Sequence, residues 1–155
     1  MKENNYIESF FQSKWFSKFV KQWFFKGKNY KLEKILYKSF FNLKKKLNYC
    51  PLFFFFEVIE KIKPEIGLKI YHKRKNKINQ TTTIPYILDS LAQYKKSIRW
   101  LVKAIKLKKD FFLIDKINKE FYDIIIHNKG DSLKKKRDYY KYAVIFKSIT
   151  KYNWK

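Results

Sequence analysis

Apolar residues recur at helical spacing along most of this chain, and one stretch breaks that period. Leu32, Ile35, Leu36, Phe40, Leu43 and Leu47 fall three or four residues apart, which places them on one face of a helix. Tyr94, Ile98, Leu101, Val102 and Ile105 repeat the pattern, as do Ile114, Ile117, Phe121 and Ile124, and then Tyr139, Tyr142, Ala143 and Phe146. Between 66 and 88 the period changes to two. Ile66, Leu68 and Ile70 alternate with Gly67, Lys69 and Tyr71. HKRKNK (72 to 77) reads as a charged tip, and INQTTTIPYIL (78 to 88) as a returning β-branched strand. Pro85 suits an edge strand, because proline cannot donate to a ladder. The expected fold is mainly α: a helical bundle of about six helices with one protruding two-stranded β-hairpin arm. Such an arm is poorly stable alone and needs support at its base or along its length.

The helix boundaries carry their own signals. Asn48 to Pro51 breaks the first long helix, and Phe53 to Ile62 forms the next, which Pro64 closes. Ser90 and Gln93 have capping-box spacing. Asp110 is placed to cap the following helix, Gly130 to end it, and Asp131 to start the last. No Ser/Gly linker or long repeat divides the 155 residues, so residues 1–155 are expected to form a single domain. Cys50 is alone, which excludes a disulfide framework and a zinc ligand set, and it is expected to be a small buried hydrophobe.

Charge narrows the function. The chain holds 37 Lys plus Arg against 13 Asp plus Glu, a formal net charge of +24. Self-repulsion of that size opposes a compact state until a polyanion neutralises it, and nucleic acid is the common polyanion. The isolated chain is therefore expected to need RNA or high salt. Aromatic residues make up 21% of the chain, too many for a disordered basic tail. Arg74, Arg99 and Arg137 are the only arginines. The abundance of Phe, Ile, Lys, Asn and Tyr matches adenine- and thymine-rich codons, as in an organelle genome. Lysine keeps attraction for phosphate but gives up the planar fork that reads bases. The longest uncharged runs are shorter than the ~20 residues a membrane span needs. Residues near the start include Glu3 and Glu8 and no arginine, unlike a transit peptide, so synthesis inside the organelle is the expectation.

Chemistry of its own is not expected. His72 and His127 lie in unlike contexts without metal-spaced partners. No phosphate-binding loop or serine elbow is present, and the carboxylates are scattered. No catalytic residue, metal, cofactor or small-molecule substrate is assigned. A basic amphipathic protein that lies on a membrane surface is the rival reading, and a metal-dependent nuclease a third.

Five strings in fixed order sharpen the proposal: KFVKQWFFKGKNYKLEKILY (18 to 37), EVIEKIKP (57 to 64), SIRWLV (97 to 102), NKGDSLKKKRD (128 to 138) and KYNW (151 to 154). Together they resemble the universal S-seven family of small-subunit ribosomal proteins. The resemblance implies the same bundle with a hairpin arm. It implies a structural protein that binds the 3′ major domain of small-subunit rRNA, nucleates assembly of the head and borders the tRNA exit site. Implied partners are the rRNA, tRNA and mRNA near the exit, other head proteins and the S-eleven platform protein, with no membrane. With the codon bias, the expected location is the mitochondrion.

Candidate contact residues follow from charge and from family position. Lys26, Gly27 and Lys28 form a turn that lets the backbone approach phosphate, with Lys18 before it and Lys31 after. A solvated loop is the plainer reading of the residues alone, and family position favours RNA. Lys95, Lys96, Arg99 and Lys103 share a helix, where Arg99 is the phosphate candidate. Trp100 falls outside the apolar stripe and reads better as packing on a neighbouring helix than as a base stacker. Lys134, Lys135, Lys136 and Arg137 crowd the start of a helix, where cations oppose its dipole and phosphate would offset the cost; the first three are assigned to rRNA. On the arm, Lys69, His72, Lys73, Arg74, Lys75 and Lys77 point to tRNA and mRNA, although charges also protect an exposed edge.

Three departures from the family pattern matter. The arm carries NQTTTIP where the family has a Tyr-Gln-Val-Pro string, and Arg137 replaces the family's Glu. The N-terminal extension, residues 1–17, balances Lys2 and Lys14 against Glu3 and Glu8 and adds Phe10, Phe11, Trp15 and Phe16. It is expected to pack on protein, whether its own bundle or a neighbour, rather than thread into RNA.

Overall fold

The computed structural model describes residues 13–23, 29–48, 50–75 and 78–149. Six helices and one hairpin follow in order among the described residues: α1 Lys14–Lys21, α2 Asn29–Leu47, α3 Pro51–Ile62, β1 Ile66–Lys75, β2 Ile78–Ile87, α4 Ser90–Leu107, α5 Leu113–Ile126 and α6 Asp131–Ile149. α2 packs on α5, α3 and α1, while α4 packs on α3, α5, α6 and α1. No helix among the described residues is long and apolar enough to cross a membrane.

Phenylalanine rings hold the bundle at its centre. Phe16 and Phe19 come from α1, Phe40 from α2, Phe54 and Phe55 from α3 and Phe121 from α5, and all are buried. Phe40 meets Phe121 edge-on at 5.4 Å and Phe55 at 6.3 Å, and Phe19 meets Phe55 at 5.5 Å. Tilted and edge-to-face pairs of this kind add about 0.5–1.5 kcal/mol each beyond the area they bury. Most of the helical stripes read from the sequence face this cluster. Leu32, Leu36, Leu43, Ile98, Leu101, Val102, Ile105, Ile117 and Ile124 are all buried. Phe16 is too, so the part of the N-terminal segment within the described residues packs on its own bundle. Phe10, Phe11 and the KYNW string lie outside the described residues.

Several boundaries differ from expectation for local reasons. α3 starts at Pro51, not Phe53, because proline fits the first helical position. Cys50 is exposed rather than buried, since it occupies the cap before that proline. Asp89, not Ser90, is the N-cap of α4, and Gln93 donates its side-chain N–H to the Leu88 carbonyl, 2.8 Å, instead of closing a capping box. Phe112 precedes α5, and Asp110 instead pairs with Lys119 at 3.2 Å. That helix ends at Ile126, with Asn128 at φ 47°, so asparagine takes the left-handed turn expected of Gly130. Tyr142 is exposed, whereas Ala143 is buried.

Gly130 serves a different purpose. A Cβ there would meet Ile124 Cγ1 at 2.8 Å and Glu120 Oε1 at 3.1 Å. The space it leaves admits a buried clasp. Glu120 is fully buried, pairs with Lys108 at 3.0 Å, and accepts from Ser132 N–H at 3.0 Å and Ser132 Oγ–H at 2.5 Å. One carboxylate thus ties the end of α4, the middle of α5 and the start of α6. On the other side of α5, Ser39 donates to Asn118 at 2.6 Å and joins it to α2.

The hairpin is antiparallel, and its ladder runs from Ile66↔Ile87 to Lys75↔Ile78. His72, Lys73, Arg74 and Lys75 therefore belong to β1, so the strand extends into the expected tip. The base is held by α6, where Tyr140 Oη accepts from Glu65 N–H at 2.9 Å. Leu88 N–H closes it on Glu65 O at 2.8 Å. Gly67 pairs with Tyr86, whose ring lies where a Cβ on Gly67 would sit.

Two substitutions separate rigid from yielding sites. Gly130→Ala should cost about 2 kcal/mol, because Ile124 and Glu120 are buried and cannot move aside. Gly67→Ala should cost less than half of that, since the exposed end of Tyr86 can swing away. Urea unfolding of the two variants checks the order. Glu120→Gln should cost about 3 kcal/mol in the same assay, because it leaves Lys108 with Asp123, which is only half-buried, as its one carboxylate partner.

Candidate nucleic-acid interface

A four-residue repeat on α4 creates the basic face. Lys95, Arg99 and Lys103 lie successively one turn apart and are all exposed. Helices on either side widen the stripe. Lys18 of α1 lies near enough to Lys95 to feel it, and Lys135 of α6 likewise to Lys103. Both amines are held below the usual lysine range, first by desolvation, then by Lys14 and Lys95 for Lys18 and by Lys103 for Lys135. Lys134 is exposed beside Lys135. Among the described residues none of Lys95, Arg99, Lys103, Lys134 or Lys135 forms an ion pair. Like charges gathered without counter-charges are what a polyanion stabilises.

Aromatic rings brace the stripe from beneath. Trp15 stacks on Tyr94 at 4.7 Å with Lys18 over it at 4.4 Å, and Lys63 lies 4.9 Å over Tyr94. Tyr94 also donates to Glu60. Trp100 is buried and packs on Tyr139 of α6 at 5.1 Å, as its place outside the stripe suggested.

Not every assigned lysine faces outward. Lys136 Nζ donates to Lys61 O at 2.9 Å, in the last turn of α3, and burial pushes its amine down. Lys96 is half-buried between Trp100 and Tyr139 and contacts the Tyr139 hydroxyl. Burial, then Arg99, pushes it down to about 8. Lys31 is exposed on the first turn of α2, away from the α4 stripe in the chain. Lys69 is exposed on β1. His72, Lys73, Arg74 and Lys75 are placed by backbone register alone. Lys26, Gly27, Lys28 and Lys77 lie outside the described residues.

Some contributors were not among the assigned residues. Lys14 joins the Lys18 cluster, and its spacing of four from Lys18 was the available signal. Lys61 donates to Ile125 O at 3.2 Å at the end of α5, and Lys106 to Trp23 O at 3.1 Å. No local pattern marks either, because their partners are distant in the chain. No cluster of His, Cys, Asp and Glu among the described residues could hold a metal ion.

Sequence comparison agrees with this architecture. The family model described as ribosomal protein S7p/S5e matches residues 2–146. The chain belongs to that family. Similar relatives are named small ribosomal subunit protein uS7. The protein from Wigglesworthia glossinidia brevipalpis is 30% identical over 138 residues, covering 89% of this chain and 85% of its own. That from Pelagibacter ubique is 30% identical over 145 residues, covering 93% and 89%. That from Lawsonia intracellularis is 29% identical over 144 residues, again 93% and 89%. Membership makes the chain a ribosomal protein and not an enzyme, and gives the membrane-surface reading no support.

Lys96 gives a pH test of the face. Its folded value of about 8 lies below the ordinary 10.5, so the folded state binds fewer protons between those limits. Stability should therefore rise with pH from about 8 toward 10.5. Lys108 works oppositely. Burial alone would lower it, but Glu120 and Asp123 outweigh burial and raise it, so its contribution is lost only above 10.5. Thermal melts at increasing pH should show the rise, and Lys96→Met should flatten it.

Proposed function

We propose that this chain is a structural, RNA-binding constituent of the small ribosomal subunit, active in translation. The observation that carries this reading is the exposed stripe Lys95, Arg99 and Lys103, flanked by Lys18, Lys134 and Lys135, without ion pairs among the described residues. Its target is the 3′ major domain of small-subunit rRNA. Neutralising phosphates on helices that must converge there favours their packing, which is how the protein starts head assembly. The family match over residues 2–146 supports this target.

The hairpin gives the protein a second station. Its ladder extends to Lys75↔Ile78; Lys69, His72, Lys73, Arg74 and Lys75 belong to β1, and Lys77 follows in the sequence. With its base braced by α6, its proposed partners are tRNA at the exit site and the departing mRNA. Protein neighbours are other head proteins and the S-eleven platform protein. The site of action is the mitochondrion, with the gene in the organelle. The codon bias supports this, and the bacterial relatives fit a ribosome of bacterial type.

Footprinting of the organelle's small-subunit RNA, with and without the protein, should give protections confined to one multi-helix junction of the 3′ domain. Diffuse protection over unrelated RNA would defeat the reading. In binding titrations across salt, Arg99→Ala and Lys103→Ala should each reduce the salt slope by about one. Lys136→Ala should leave that slope unchanged and lower stability instead, because its amine is committed to the Lys61 carbonyl.

A further inference from the structure

The outer face of α2 carries a pattern that the core does not use and the α4 stripe does not include. Tyr30, Lys34, Tyr37, Phe41 and Lys45 fall within about 80° of one another around the helix. All five are exposed, Tyr30 at 67%, Tyr37 at 46% and Phe41 at 46%. Single exposed rings are common, but three in line along about 16 Å of helix form a continuous uncovered surface. Lysines alternate with the rings. Lys34 Nζ lies 4.5 Å from the Tyr30 centroid, and Lys45 Nζ 4.8 Å from that of Phe41. Lys38 is exposed beside the line, and none of these three lysines forms an ion pair among the described residues. A cavity of about 280 Å³ opens between α1 and this face. Phe16 and Val20 line it from α1, Tyr30 and Tyr37 from α2, and Glu33 and Lys34 bring charge to it.

We propose that this face is a second RNA-binding site, where unpaired bases of the small-subunit rRNA stack on Tyr30, Tyr37 and Phe41. Lys34, Lys38 and Lys45 meet the phosphates that join those bases. The inference rests on the RNA-binding reading above but not on the α4 stripe, which belongs to a different helix; α1 packs on both. Rings interleaved with cations hold single strands, because every base has a face to stack and every linkage a charge to neutralise. A duplex keeps its base faces stacked inside, so the partner is unpaired. A protein partner fits less well. Protein interfaces gather aromatics but are depleted of lysine, and no large aliphatic residue of α2 is exposed. The exposed part of α6 differs, with Val144 and Ile145 beside Tyr142. The cavity has room for one planar base against Phe16 and Val20. Glu33 offers an acceptor there, so a base with an exocyclic amine suits it better than uracil.

The test uses the full-length chain and a transcript of the 3′ major domain of small-subunit rRNA. Ultraviolet irradiation links rings to the bases they stack on, and mass spectrometry should find nucleotide adducts on Tyr30, Tyr37 or Phe41. In binding titrations Tyr30→Leu and Phe41→Leu should each weaken affinity about ten-fold with the salt slope unchanged, because a lost stack releases no counterion. Lys34→Gln and Lys45→Gln should instead each lower that slope by about one. Both substituted rings are exposed, so the leucine variants should keep the urea midpoint of the unsubstituted chain. Adducts confined to other parts of the chain, or leucine variants that bind as tightly as the unsubstituted chain, would overturn the proposal. If Arg99→Ala still lowers the salt slope in that case, the α4 reading stands and the α2 face belongs to a protein neighbour. An unsubstituted chain that shows no preference for this transcript over unrelated RNA removes both readings together.

Discussion

The edge-to-face packing of Phe40, Phe54, Phe55 and Phe121, joined by Phe16 and Phe19, is the contact on which the rest of the bundle depends. A chain with a net charge of +24 pushes its own parts away from one another. Only apolar burial at the centre can oppose that, at about 1.5–3 kcal/mol for each fully buried large side chain. The aromatic cluster unites α1, α2, α3 and α5. α4 and α6 close over it, so their outer surfaces become the place where unneutralised charge collects.

The lysines divide into two groups by what they meet. Lys61, Lys106 and Lys136 reach main-chain carbonyls beyond their own helices, and two of these carbonyls lie in the last turns of α3 and α5. A cation there is favourable against the negative end of the helix dipole. Lys108 is held in the Glu120 clasp. These four amines work inside the molecule and consume part of the excess charge. Lys95, Arg99, Lys103, Lys134 and Lys135 form no ion pair among the described residues, and this remainder leaves its charge uncompensated.

The period of the apolar residues made much of the fold legible. The switch to alternation at Ile66 marked the hairpin, and Pro85 stands on a two-stranded sheet in which every strand is an edge. The stripe containing Ile98, Leu101 and Ile105 faces the core as read. Boundaries were less legible because rival caps were one or two residues apart, as with Asp89 and Ser90. Glu120 was missed although a signal existed. It lies three residues after Ile117 and four before Ile124, at a core position where a carboxylate is out of place. Its explanation required Lys108, Ser132 and the missing side chain of Gly130 together.

Periodicity, charge and the order of short strings determined the class of fold, the presence of the arm, the polyanionic partner and the family. All of these depend on residues close together in the chain or on sums over it. Tertiary structure alone decided which lysines are engaged inside the molecule. Lys61 lies 64 residues from the Ile125 carbonyl it caps, and Lys136 lies 75 from Lys61. Lys96 lies 43 from the Tyr139 that encloses it. Whether an amine meets a carbonyl, an aromatic wall or water depends on which helix face arrives opposite it. Helix faces from distant parts of the chain meet only when the core packs.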